Sequence, residues 1–318
     1  EVDFEFIIQG VHARDSQTAL PITVLSEEEI RSEASVNIGD SLSMQPGINK
    51  ASFGPAVGQP VIRGQQGRRV MSLTNGMVNA DASGNSADHA VTVEPMLATG
   101  VEILRGPSTL LYGGGAIGGV VNVTDSRFNE SGLDRPVFSF EWRHDSASDM
   151  DTAVGSFSIP AGNFVLHADI TDRQWNDLEI SGLAIHPDYL EEEHEEEEEH
   201  EEEVENSDGF IANTRGETQA VNLAFSYLLD NGFLGFSFNQ MANEYGLPPG
   251  VHGHHEEEHG EENIFIDMER KRYDFIANLN DLSPMIESLD YRLSYTDYEH
   301  AEMEGPGMIG TQFNNDSF

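Results

Sequence analysis

The sequence contains no cysteine, so it can form neither a disulfide framework nor a thiolate metal site. Basic residues are also scarce: 16 Lys and Arg stand against 57 Asp and Glu, which gives a formal net charge of -41. Nucleic-acid binding needs clustered Lys and Arg, so no nucleic-acid partner is expected. The charge indicates instead cationic partners or loops that hold divalent ions.

Long apolar runs are absent as well. No apolar run reaches the roughly 18 residues of a transmembrane helix, so no transmembrane helix is expected. The chain starts with Glu1-Val2-Asp3 and lacks a basic segment followed by an apolar one, so no signal peptide is expected in these 318 residues. A hydrophobic content of 38% together with 31 glycines favours a β-rich protein.

Residues 1–128 have the pattern of a mixed α/β domain. Ser26 and Glu29 form a capping box that predicts a short helix. The segment "NIGDSLSMQPG" predicts a second helix, which must stop before Pro46. Short extended segments end at glycine or at the turn signal Asn75-Gly76; they are "FEFIIQG", "PITVLS", "QPVIRG", "RRVMSLTNG", "VEILRG" and "VVNV".

From about residue 136 the pattern changes to long alternation of apolar and polar residues. Phe164, Leu166 and Ile170 share one face of a predicted strand, while His167 and Asp169 share the other. Strands of about ten residues or more with one apolar face are typical of transmembrane β-barrels; a large soluble β-sandwich is the alternative. Seven such strands are predicted, at about 136–145, 150–160, 163–175, 216–228, 232–242, 266–280 and 288–300.

The connections between these strands alternate in length. Those after the second, fourth and sixth strands are short or compact, whereas 176–215 and 243–265, after the third and fifth, are long. Outer-membrane barrels have short periplasmic turns and long extracellular loops. Both long loops are therefore expected on the cell exterior.

Both long loops contain histidine among carboxylates. The run "HGHHEEEHGEE" predicts metal capture, although Cu²⁺ and Ni²⁺ suit such nitrogen sites as well as Zn²⁺ does; its histidines are His252, His254, His255 and His259. The second run, 191–205, has twelve glutamates with His194 and His200. It predicts weak, poorly selective metal binding, and an inert charged brush is the alternative.

Two smaller motifs contain possible metal ligands, although the residues alone favour an ordinary exposed loop pair for Asp88 and His89. Asp88 and His89 lie in a loop rich in Gly, Ser and Asn, and they offer ordinary Zn²⁺ ligand atoms. Alternation along the last predicted strand points His300, Glu302 and Glu304 inward at its outer end. These residues could complete a mixed N/O tetrahedral site with the loop pair. The alternatives are an exposed loop histidine and the ordinary polarity of a barrel lumen.

No motif predicts catalysis. Gly113, Gly115 and Gly118 satisfy G-x-G-x-x-G, but a dinucleotide fingerprint opens a helix, and here the strand "VVNV" follows. No Ser/His/Asp grouping in a plausible context and no H-E-x-x-H helix are found. The chain is therefore not expected to be an enzyme.

Several N-terminal motifs together resemble the plug of a TonB-dependent outer-membrane receptor. They are "PITVLSEEEI", "IGDSLSMQPGI", "PVIRGQQGRRVMSLTNG" and "VEILRGPSTLLYGGGAIGGVVNV", and they cover nearly all of residues 5–125. The resemblance implies an α+β plug domain at 1–128, then antiparallel transmembrane β-barrel strands at 129–318, as a fragment of a 22-stranded plugged barrel. It also implies a bacterial outer-membrane location, with the TonB–ExbB–ExbD complex, outer-membrane lipid and lipopolysaccharide as partners.

Within that family the chain is most similar to the ZnuD-type zinc receptors. The resemblance rests on "SADHAVTVEP", "YGLPPGVHGHHEEEHGEENIFIDMERKRYDF" and "YEHAEMEGPGMIGTQF". It implies a zinc ion as the transported ligand, no catalytic cofactor, and Asp88 and His89 as ligands. The glutamate run at 191–205 departs from the family. The alternatives are a receptor for haem, copper, nickel or a metal chelate, and a structural or adhesive surface barrel whose acidic loops hold calcium.

Overall fold

The computed structural model describes residues 22–33, 35–186, 206–249, 263–305 and 307–318. Within these ranges the chain forms a compact N-terminal domain, followed by one large antiparallel sheet, called here the wall sheet. No helix of the described chain is long and apolar enough to cross a membrane. The predicted strand "FEFIIQG" lies outside the described residues.

The N-terminal domain is built on a five-stranded sheet in the order β1-β6-β7-β4-β5, with a separate β2-β3 hairpin. All pairings are antiparallel except β4 with β7, which is parallel. The elements are β1 Ile22–Ser26, α1 Glu27–Glu33, α2 Ile38–Leu42, β2 Ile48–Phe53, β3 Val57–Ile62, β4 Val70–Thr74, β5 Met77–Val78, β6 Ala98–Leu104 and β7 Gly119–Asp125. Four short 3-10 segments complete it, at 67–69, 82–84, 95–97 and 106–112.

Local sequence signals set the two helices. The backbone N–H of Ser26 donates to the Glu29 carboxylate at 2.9 Å, and the Glu29 N–H donates to the Ser26 hydroxyl at 3.4 Å, which confirms the capping box. Hydrogen bonds from the Ser26 side chain and backbone lower the pKa of Glu29. Asn37 caps α2 by accepting from the Asp40 N–H at 2.8 Å. Ile30, from α1, and Ile38, from α2, are fully buried against the sheet.

The wall sheet has eight strands in the order β17-β16-β15-β14-β13-β10-β9-β8. Apart from β10 and β13, which a long connection separates, neighbouring strands follow one another along the chain. They are β8 Val137–Asp145, β9 Met150–Ala161, β10 Phe164–Trp175, β13 Gly216–Leu229, β14 Gly232–Gly246, β15 Phe265–Ser283, β16 Ile286–Gly305 and β17 Met308–Ser317. Between β10 and β13 lies a two-stranded ribbon of β11 Leu178–Leu183 and β12 Asp208–Ile211.

The wall sheet contains all seven predicted strands and one further strand. β17 was not predicted, and β14, β15 and β16 run several residues beyond their expected ends. The predicted long loop 176–215 contains two short strands, β11 and β12. The predicted domain boundary at residue 128 falls between β7 and β8 and stays a prediction.

The two faces of the wall sheet differ as the alternation predicts. Leu166, Ile170, Leu223 and Leu293 are exposed on the outer face. Polar side chains of the inner face are buried against the N-terminal domain; among them are His167, Arg173, Asn222, Arg270, Arg272, Asp274 and His300.

Buried arginines join the wall sheet to the N-terminal domain. Arg173 donates to both oxygens of Glu94, at 3.0 and 3.1 Å. Arg270 donates to the Thr92 carbonyl at 2.8 Å, and Arg272 to the Val78 carbonyl at 3.2 Å. The domain is thus held by charged hydrogen bonds as well as by apolar packing.

Candidate metal site

Hydrogen bonds within the protein hold the loop around His89 in place. Asp81 begins a 3-10 turn by accepting from the Ser83 N–H at 3.1 Å. Its second oxygen accepts from the Thr92 N–H at 2.9 Å, which ties the two ends of the loop together. Gln59, on β3, donates to the Ser86 and His89 carbonyls at 2.7 and 2.9 Å. The backbone position of His89 is therefore set by several independent bonds.

His300 and Glu302 reach the same place from β16. Thr296, Tyr298 and His300 alternate on the inner face and are all buried. The His300 ring stacks on Phe313 of β17, with centroids 5.3 Å apart and an interplanar angle of 25°. Glu302 follows two residues on and is partly exposed, since its side chain keeps 27% of its accessible surface.

The three side chains converge on one point. His89 Nε2 lies 3.0 Å from His300 Nε2 and 3.7 Å from Glu302 Oε1, and His300 Nε2 lies 4.0 Å from Glu302 Oε1. These three residues are the one group of possible metal ligands found among the described residues. Tetrahedral Zn²⁺ with bonds of about 2.0–2.1 Å places its ligand atoms about 3.3 Å apart, close to this arrangement. The geometry suits a divalent ion with one coordination position left open.

Asp88 takes a different place from the one expected of a ligand. Its Oδ1 lies 2.8 Å from His89 Nδ1, the ring nitrogen that points away from His300. Burial raises the pKa of Asp88, but hydrogen bonds from His89 and Ser86 outweigh it, and the net shift is downward. The carboxylate is therefore ionised and acts as the acceptor of the Nδ1–H bond.

Tyr245 was not singled out from the sequence, yet it touches both neighbours of His89. Its hydroxyl accepts from the Ala90 N–H at 3.1 Å and donates to the Asp88 carbonyl at 3.3 Å. The side chain is 1% exposed and comes from β14. One signal could have found it: by alternation, Tyr245 falls on the inner face at the outer end of its strand.

All but one of the other predicted metal-binding residues lie outside the described part of the chain. The glutamate run at 191–205 lies outside the described residues. So do His194, His200, His252, His254, His255 and His259. Glu304 is exposed on β16 and does not join the group of three.

A separate group of hydrogen-bonded polar side chains lies on the inner face of β9 and β10. Ser158 Oγ lies 2.8 Å from His167 Nδ1, and His167 Nε2 lies 2.9 Å from Asp169 Oδ2. Asn222 donates to the same Asp169 oxygen at 2.9 Å. The grouping was missed because Ser158 and His167 meet only through the strand register. Both ring nitrogens are occupied, so His167 offers no free position to a metal.

Comparison with known proteins identifies the N-terminal domain. Residues 14–120 match the family model described as TonB-dependent Receptor Plug Domain. This domain is a TonB-dependent receptor plug. The hemin receptor of Yersinia enterocolitica is 34% identical over 107 residues, which are 33% of this chain and 15% of that receptor. The hemin receptor of Yersinia pestis is 31% identical over 106 residues, again 33% and 15% of the two chains.

Solved structures resemble the plug and the wall sheet together. The copper transporter OprC matches with a TM-score of 0.66 at 16% identity, over 89% of this chain and 38% of that one. The FrpB iron transporter from Neisseria meningitidis (F3-3 variant) gives a TM-score of 0.63 at 12% identity, over 88% and 41%. The chain thus spans well under half the length of these relatives. Its fold is a plug followed by part of an antiparallel β-barrel, and its location is the bacterial outer membrane.

Proposed function

We propose that this chain is the plug and first part of the barrel of an outer-membrane receptor that takes up a divalent metal ion, with zinc as its cargo. One observation carries the proposal. A plug residue, His89, and two barrel residues, His300 and Glu302, bring three ligand atoms within 4.8 Å of one another. Two imidazole nitrogens and one carboxylate oxygen are ordinary Zn²⁺ ligands.

The placement of the ligands suits uptake. Because one ligand belongs to the plug and two belong to the barrel, an ion bound here joins the two parts. Any movement of the plug away from the wall separates His89 from His300 and opens the site. We infer that TonB, as the family partner, supplies that movement from the periplasm, and that the bound ion is then released.

A haem cargo fits this site less well, although the curated relatives are named hemin receptors. A haem iron bound by two histidines has them on opposite faces of the ring, with metal–nitrogen bonds of about 2 Å on each side. The two Nε2 atoms are only 3.0 Å apart. They can share one ion side by side, but they leave no room for a porphyrin plane between them.

Copper is the second candidate, and Met268 favours it. This buried residue of β15 lies directly opposite His300 in the strand register. Both side chains are on the inner face, and thioether sulfur is a ligand that Cu(I) prefers. The copper transporter OprC is a protein of the same fold. A copper receptor would use Met268, whereas a zinc receptor would not need it.

Competitive metal titration of the full-length receptor in detergent tests both candidates. We expect one tight zinc site, and His89→Ala, His300→Ala or Glu302→Gln should weaken it by more than about 100-fold, beyond the 10–100-fold typical of outer-shell changes. Glu304→Gln is the matched control, since Glu304 lies on the same strand outside the group. Met268→Leu should leave zinc affinity unchanged.

Two results would contradict the zinc proposal. Tight Cu(I) binding that is lost in Met268→Leu would make copper the cargo. Zinc affinity that is equal in wild type and His89→Ala would show that the three residues hold no ion.

A further inference from the structure

We propose that Asp88 positions His89 for the metal and is not itself a ligand, while Gln59 and Tyr245 fix the backbone on which the pair stands. This inference rests on the proposed function, because it assigns roles around the same ion. It departs from the sequence-based expectation that Asp88 and His89 bind the metal together.

The two ring nitrogens of His89 face different partners. The Asp88 carboxylate oxygen lies 2.8 Å from Nδ1, at hydrogen-bond distance, and as the acceptor it places the hydrogen of the ring on Nδ1. Nε2 is then the nitrogen with the free lone pair, and it is the one that faces His300 and Glu302. A carboxylate bound to the far nitrogen of a metal-bound histidine fixes the tautomer, orients the ring and raises its basicity.

Asp88 also cannot reach an ion that is bound at Nε2 of His89. The two nitrogens of an imidazole point to different sides of the ring. A carboxylate held on the Nδ1 side cannot also bind an ion held at Nε2 without giving up its hydrogen bond. The Asp88 oxygens accordingly do not belong to the group of ligand atoms within 4.8 Å of one another.

The backbone must hold both residues for this arrangement to persist. The Tyr245 hydroxyl bonds to the Asp88 carbonyl and the Ala90 N–H, on either side of His89. Gln59 bonds to the His89 carbonyl itself at 2.9 Å. With the backbone fixed on both sides, the Asp88 carboxylate has only to set the angle of the ring.

The roles of ligand and positioning residue predict different responses to two substitutions at position 88. Asn keeps an oxygen that can accept the Nδ1–H bond, whereas Ala removes it; an amide is a poor replacement for a ligating carboxylate. We expect Asp88→Ala to lower zinc affinity about 10–100-fold and Asp88→Asn to recover most of that loss. Glu302→Gln, the corresponding change at a ligand, should weaken binding as much as Glu302→Ala.

Zinc titration and X-ray absorption spectroscopy of the full-length receptor test this directly. In the positioning role, zinc-loaded Asp88→Asn keeps the wild-type number of nitrogen and oxygen neighbours, whereas Glu302→Gln changes it. Equal losses in Asp88→Asn and Asp88→Ala, with a changed shell in both, would overturn the inference and make Asp88 a ligand. Absence of tight zinc binding in the wild type would instead overturn the proposed function, so the two failures are distinguishable.

Discussion

At the scale of single residues, Asp274 is a buried carboxylate that contacts two of the arginines near the boundary of plug and barrel. Asp274 accepts from Arg272 Nε at 2.7 Å and from the Ser294 hydroxyl at 2.7 Å, and Arg127 reaches its other oxygen at 3.4 Å. Arg272 and Asp274 are each 1% exposed. Burial lowers the pKa of Arg127, but the carboxylates of Asp125 and Asp274 raise it by more than burial lowers it. This guanidinium therefore stays charged. Asp274 is therefore the close counter-charge of Arg272 and a second, more distant one for Arg127, whose nearer partner is Asp125 at 2.6 Å.

Removing this carboxylate should be costly. We expect Asp274→Asn to lower the free energy of unfolding by about 3 kcal/mol, because it removes the close counter-charge of the buried Arg272 guanidinium. The measurement is urea unfolding of the receptor in detergent. Asp267→Asn is the matched control, since Asp267 lies on the same strand but is exposed. Equal unfolding midpoints for the two variants would mean that water, and not Asp274, compensates Arg272.

The sequence predicted the members of the candidate site better than their roles. His300 and Glu302 could be found because the period of two in β16 fixes which side chains face inward. Asp88 and His89 could be found as neighbours, but which ring nitrogen the carboxylate contacts depends on side-chain torsions that sequence does not reveal. Tyr245 was missed because a tyrosine in an alternating strand fits a barrel wall without any other role.

At the scale of elements, two glycines allow α2 to lie directly on β3. A Cβ atom at Gly39 would stand 2.4 Å from the Gly58 carbonyl oxygen, and one at Gly58 would overlap the Asn37 side chain. The backbone at Gly58 cannot move away from a Cβ atom at Gly39 as a flexible side chain could. The pair therefore fixes the distance between helix and hairpin at one edge of the plug.

Substitution at Gly39 should accordingly destabilise the plug. Alanine normally favours a helix interior over glycine by about 1 kcal/mol. Here we expect Gly39→Ala to destabilise by about 1–3 kcal/mol, because the close contact outweighs that gain. Thermal unfolding of the receptor in detergent measures it, and Gly114→Ala, where a Cβ meets nothing within 4 Å, is the control. A Gly39→Ala protein as stable as wild type would show that α2 does not touch β3 so closely.

Two of the strands that sequence analysis missed, β17 and β5, lack a usable hydrophobic pattern, each for its own reason. β17 pairs with the outer half of β16, and its residues Gln312, Asn314 and Asp316, which lie opposite Ala301, Glu299 and Asp297, give it no apolar face. Without an apolar face, its period of two leaves no hydrophobic signal. β5 has only two residues, too few for any pattern. Long strands with apolar outer faces were predictable because the membrane imposes that face along most of their length.

At the scale of the whole molecule, the formal net charge of -41 should favour the approach of a cation to the candidate metal site. The site lies at the end of the barrel sheet that bears the long connections, where partly exposed Glu302 keeps it accessible. Long-range attraction raises encounter rates by about 10–10³-fold and falls steeply with ionic strength. The charge is therefore expected to act on the rate of capture, whereas the three ligands determine how long the ion stays.

This division of roles can be measured. Between about 0.01 and 1 M NaCl the Debye length falls from about 30 to 3 Å, so the association rate constant of zinc with the full-length receptor should fall at least about tenfold. The dissociation rate constant should change little, because contacts between an ion and ligand atoms that lie within 4.8 Å of one another would be too short for salt to screen. Stopped-flow mixing with a zinc-sensitive dye would give both rate constants.

Deleting residues 191–205, which removes twelve of the glutamates, gives the matched control. At low salt this variant should associate with zinc more slowly than wild type does. At high salt the two association rate constants should converge, because screening abolishes the same long-range attraction that the deletion removes. An association rate constant that changes with neither the salt concentration nor the deletion would mean that the charge plays no part in capture. A dissociation rate that rises in the deletion variant would mean instead that the acidic run itself contributes ligands to the bound ion.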